Sequence, residues 1–225
     1  MANQLRVVLE IGPKGKKVVA VAPDWPGLER GAKTGEAAIE RVQSALARYA
    51  QVAKLAGMEG AFAALTTIDL VEQYPGTGST DFWGISFAFS SIDRQDLSRG
   101  EVERELTLMQ ACWAFFDAVR GRVSAEMQKG PRGGGRDRDH IVRHTIRVEQ
   151  EWAEKVGVFT PQGAVLSDEG LQAYRTAYCN AIRAFHSEGK MARTWPLRYL
   201  IRHTAFHTLD HAWEMEDKDL SIGVR

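Results

Sequence analysis

The first third of the chain reads as short apolar runs separated by turn residues, and from Ser98 onward apolar positions recur at helical spacing. Residues 5–11 and 17–22 are apolar and β-branched, with Pro13-Lys14-Gly15-Lys16 as turn chemistry between them. That order predicts a β-hairpin. Pro23-Asp24-Trp25-Pro26-Gly27 stops regular structure, and a short third strand is expected over 28–33. Thr34 is placed to accept a free amide of a first helical turn. The helix behind it spans 36–55, with Ala38, Val42, Leu46, Tyr49 and Val52 on one face and Gly57 as its stop. A strand is expected toward the end of 62–72 and a loop over 74–80. Residues 82–89 read as either a strand or an insertion between domains.

Ser98 and Glu101 fit a capping box, in which each side chain satisfies the other's backbone amide. Val102, Leu106, Met109, Trp113, Phe116, Val123 and Met127 then form one stripe, which predicts a helix of about seven turns. The Gly-rich run 129–135 breaks it. A second helix is expected over 138–156, ended by Gly157. A third starts at Ser167, with Leu171, Tyr174, Tyr178, Ile182 and Phe185 as its stripe, and ends at Gly189. A fourth runs from Trp195 or Pro196 to about Asp217. Four such helices make an up-down four-helix bundle the economical architecture. The expected fold class is therefore α+β: a small α/β module over 1–95 (hairpin sheet plus helix), then a bundle over 96–225.

Composition narrows the function classes. Apolar residues are 44% and charged residues 26% of 225, ordinary values for a folded globular chain. Lys+Arg and Asp+Glu are 29 each, so no global charge points to nucleic acid or an anionic membrane. Basic and aromatic residues do not interleave in a stripe, which also argues against nucleic-acid binding. No apolar run reaches a membrane span, and the N-terminus lacks a signal-peptide pattern. Cys112 and Cys179 form no CxxC pair, so a cytoplasmic setting is the default. Cys112 reads as a buried structural thiol, whereas Cys179, beside Tyr178, could approach a site in the bundle. No GxSxG phrase supports serine hydrolysis.

The histidines carry the candidate chemistry. His140 and His144 sit on the second bundle helix, and His203, His207 and His211 follow one another at four-residue intervals on the fourth. The last three occupy an arc of about 80° at the edge of the apolar stripe. Two imidazoles at i and i+4 can reach one divalent ion, and a third from a facing helix leaves a position open for water or substrate. The alternative is a set of polar boundary histidines hydrogen-bonded to their neighbours. Asp210 and Glu214 flank the arc, and Glu149 lies on the second helix. Each is a candidate to orient an imidazole or act as a base, or simply to form a surface ion pair. Arg132, Arg136 and Arg138 stand beside the Gly-rich loop at a helix start, where an anion could bind. Otherwise that segment is a solvated loop.

The segment Arg136-Asp137-Arg138-Asp139-His140-Ile141-Val142-Arg143-His144, with Glu149 and then His207-Thr208-Leu209-Asp210-His211, resembles the DinB superfamily of metal-binding four-helix bundles. Ile141, His144 and Glu149 fit its second-helix phrase, and His207 and His211 its closing HxxxH pair. The resemblance covers about 98–217. It implies His144, His207 and His211 as ligands of a divalent ion, zinc or nickel, with His203 and His140 as the alternative ligands. It further implies thiol-dependent S-transferase or isomerase chemistry, with a small-molecule thiol as partner, and metal-assisted hydrolysis behind it. A homodimer is also implied. The first 95 residues depart from a plain DinB domain. Asp24-Trp25-Pro26-Gly27-Leu28 followed by Thr34-Gly35-Glu36-Ala37 is similar to HicB-like domains. The competing expectation is a non-catalytic stress- or partner-binding protein whose metal, if any, is structural.

Overall fold

The computed structural model describes residues 3–130, 135–161 and 163–221. Strands β1 (Gln4–Ile11), β2 (Val18–Val21), β3 (Glu29–Ala32) and β4 (Thr67–Pro75) form one sheet in the order β3-β2-β1-β4. The hairpin is as expected: β1 and β2 run antiparallel, with Leu9 opposite Ala20. β3 continues antiparallel, and β4 adds parallel to β1 with a register shift at Val7/Val8. Helix α1 (Gly35–Leu55) starts where Thr34 Oγ1 accepts the Ala37 amide at 3.2 Å. Its apolar face covers the side of the sheet that carries Leu5, Val7, Leu9 and Ala20.

Two expectations for the middle of the chain are corrected. Tyr74 and Pro75 belong to β4, and Gly78–Trp83 forms a short helix, so 74–80 is not a loop. Phe62 lies in another short helix, Glu59–Ala63. These are α3 and α2 in chain order. Residues 84–89 are not a strand, because two buried carboxylates take their amides in place of a ladder. Glu10 accepts from Phe87 N (2.9 Å), Ala88 N (3.1 Å) and Ser86 Oγ (2.7 Å), and Glu29 accepts from Ser86 N (3.1 Å). A carboxylate inside a protein is tolerable only with such a set of donors. The segment thus packs as an insertion over the second face of the sheet, where Val8, Val19, Val21, Tyr74 and Ile92 form a small separate core.

Four long helices follow: α4 (Arg99–Arg122), α5 (Arg138–Ala153), α6 (Asp168–Ser187) and α7 (Leu197–Asp217). The Ser98–Glu101 capping box is present, as are the glycine stops at 157 and 189. Helix α4 ends a turn early. Val123 turns extended, the Asp219 carboxylate binds Ser124 N and Oγ at 2.9 Å, and Met127 pairs with Asp219 in an isolated bridge. Val123 and Met127 remain buried, so the stripe reported burial correctly and helix length incorrectly.

Helix α7 lies at the centre. It packs along α4 and α5, and most of its residues are buried. Its other side meets the sheet module, where Gly27 adopts φ +98° and an added Cβ would sit 3.1 Å from Cys112 Sγ and 3.2 Å from Leu209. Only glycine accepts both that backbone conformation and that approach without strain. One continuous apolar cluster therefore includes Val7, Tyr49, Leu106, Phe116 and Leu209. Across the same junction, buried Arg202 of α7 donates to both Asp93 oxygens at 2.7 and 2.8 Å. No helix among the described residues is long and apolar enough to cross a membrane.

Candidate metal centre

Helix periodicity places His207 and His211 one turn apart on α7, and the packing of α5 against α7 brings His144 to the same spot. Ring centroids are 4.6 Å apart for His207–His211, 5.0 Å for His144–His211 and 5.3 Å for His144–His207. Their candidate ligand nitrogens all lie within 4.8 Å of one another. Among the described residues, no cysteine, aspartate or glutamate joins this group.

The electrostatics favour lone-pair donation. Burial, with the nearby positive field of Arg136 and the other rings, lowers the His144 pKa to about 4 and drives His207 well below the usual histidine range. Both are therefore neutral near pH 7. His207 Nδ1 is buried without a hydrogen-bond partner. His211 Nδ1 lies 2.7 Å from Glu214 Oε2, so it donates there and leaves Nε2 free. Burial opposes charge on Glu214. His211, Lys218 and Arg136 overcome it and hold the carboxyl well below its ordinary range. A carboxylate behind a histidine fixes tautomer and ring orientation at metal sites. Two neutral imidazoles, with a third held by a carboxylate, fit a divalent ion of borderline softness.

The remaining candidates separate. His203 is buried one turn earlier, stacked on Tyr199 (5.0 Å) and beside Trp152 (4.6 Å), and is a packing residue outside the triad. His140 is exposed at the start of α5, where its amide donates to the Asp137 cap. Glu149 points away from the triad, buried 3.6 Å from Arg175, and burial raises its pKa to about 7. Asp210 is half exposed and faces Arg30 at 3.6 Å. Arg136 bonds Glu214 at 2.8 Å, while Arg138 bonds Asp139 and the Val123 carbonyl. Arg132 lies outside the described residues. Burial raises the pKa of Cys179 to about 12, so it offers no thiolate.

Sequence reasoning missed Arg30 and Arg48, which join Trp213 of α7. Together with Arg136, His211 and Glu214 they line a cleft of about 400 Å³ at the edge of the triad. Arg30 comes from β3 and Arg48 from α1, and nothing in their local sequence points to α7. A larger cleft, about 630 Å³, lies between Asp93–Leu97 and the start of α7, and it does not include the triad. No protein-family model, curated protein or solved structure matches the chain.

Proposed function

We propose that this is a DinB-like metalloprotein in which α4–α7 form an up-down bundle and His144, His207 and His211 hold one divalent ion, zinc or nickel. The observation that carries the reading is the convergence of three imidazoles from two helices, with ligand atoms within 4.8 Å of one another. The Ile141, His144 and Glu149 phrase and the His207–His211 pair support it independently through sequence.

When bound, a divalent ion lowers the pKa of a coordinated thiol or water and so supplies a nucleophile near neutral pH. The activity assigned is thiol-dependent S-transfer or isomerisation, with metal-assisted hydrolysis second. Glu214 holds the His211 tautomer, and Trp152 packs edge-on 5.1 Å from the His207 ring. Among the described residues, three histidines are one ligand short of a closed tetrahedral structural site. That count favours catalysis over a partner-binding protein with a structural ion. A homodimer, a HicB-like module over the first 95 residues and a cytoplasmic setting complete the proposal.

The test is metal content by mass spectrometry of tag-free protein, for wild type and for His144→Ala, His207→Ala and His211→Ala. The expected result is about one equivalent in wild type, lost in each variant. No metal in wild type after reconstitution with zinc, nickel or manganese would overturn the reading.

A further inference from the structure

The cleft beside the triad contains a guanidinium with unmet donors. Arg30 stacks over the Trp213 ring, its Cζ 4.1 Å from the centroid, and its side chain is 19% exposed. Nη1 donates to the Glu29 carbonyl at 2.7 Å. The nearest carboxylate is Asp210, at 3.6 Å, beyond hydrogen-bond distance and itself half exposed. Among the described residues, Arg30 Nε and Nη2 have no protein partner. Arg48 differs: both of its Nη atoms donate, to Glu216, Asp217 and the Trp213 carbonyl. Among the described residues, Arg136 makes one hydrogen bond, to Glu214 Oε2. A planar guanidinium presents its N–H groups in one plane, the geometry a carboxylate matches. At about 400 Å³ the cleft suits a small molecule.

We infer that this cleft binds the carboxylate of a small organic acid between Arg30 and Arg136, presenting the rest of that molecule to the histidine triad. The carboxylate's role as substrate handle rests on the metal reading above, whereas its binding does not. The sheet module thereby contributes a specificity residue to a site on the helices, and Asp210 competes with the ligand for Arg30.

The experiment is calorimetric titration of succinate into the full chain, with cobalt content measured separately by mass spectrometry. Arg30→Gln is expected to weaken succinate binding by about tenfold with cobalt content unchanged. Asp210→Asn is expected to tighten binding, a gain that misfolding cannot produce. Inorganic phosphate is the competing oxyanion and should displace succinate poorly. Absence of saturable succinate binding, equal affinity in wild type and Arg30→Gln, or stronger binding of phosphate would each overturn the carboxylate site. Absence of bound zinc, nickel or manganese from reconstituted wild type, with Arg30-dependent succinate binding retained, would instead overturn the metal reading alone.

Discussion

His211 Nδ1 and Glu214 Oε2 lie 2.7 Å apart, one turn along the same helix, and that contact selects which histidine nitrogen is free. Glu214 is held in turn by Lys218 Nζ at 2.6 Å and Arg136 Nη2 at 2.8 Å. The ring is thus oriented before any ligand arrives. Replacing Glu214 with alanine is expected to weaken divalent-metal affinity by about 10–100-fold. Competition with a chromophoric chelator measures this, and unchanged affinity would remove Glu214 from the site.

Arg202 and Asp93 tie the central helix to the insertion that covers the sheet. Both are buried and joined by two hydrogen bonds of 2.7 and 2.8 Å. Arg202→Met should lower stability by about 3–5 kcal/mol, because it strands the Asp93 charge in the interior. Urea unfolding reads the loss directly. The double variant with Asp93→Asn should recover part of it, since no unpaired carboxylate then remains at position 93.

Glu29 shares that interior but lies 3.3 Å from a guanidinium already committed to Asp93. Burial outweighs the attraction of Arg202 and raises the Glu29 pKa to about 8. The folded state therefore holds this proton more tightly than the unfolded chain does. Its contribution is complete below the unfolded value near pH 4.5 and is lost as pH rises through about 8. The slope approaches about 1.4 kcal/mol per pH unit from this group alone. Glu29→Gln should match wild type near pH 5 and exceed it at pH 9. Denaturant unfolding at the two pH values is the check, and parallel curves would show that Glu29 stays ionised.

Gly31 and Gly84 bring two backbones into contact at the β3 edge. A Cβ added at Gly31 would lie 2.0 Å from the Gly84 carbonyl oxygen. Gly31→Ala should therefore destabilise by about 1–3 kcal/mol through overpacking. Gly78→Ala, where the same construction meets nothing within 4 Å, is the matched control. Thermal melting distinguishes them, and equal shifts would contradict the close approach.

The α+β class, the hairpin, the starts of α1, α4 and α6 and the spacing of His207 and His211 were all legible along the chain. Each rests on interactions within a few residues: a capping hydroxyl, a glycine stop, a stripe at a helical period. Where a distant group intervened, the reading failed. Asp219 draws Ser124 out of the α4 helix, and Glu10 takes the amides that a strand over 84–89 would have paired. Periodicity reports which positions are buried but not what ends an element, so Val123 and Met127 were rightly apolar and wrongly helical.

The candidate site divides along the same line. The i, i+4 geometry of His207 and His211 belongs to the helix itself and follows from sequence. The arrival of His144 beside them, the choice of Glu214 over Asp210 and Glu149, the exclusion of His203 and His140, and the placement of Arg30 against Trp213 all depend on how separate elements pack. Such contacts are set by burial summed over the whole chain, which is non-directional and leaves no local mark on the residues it brings together.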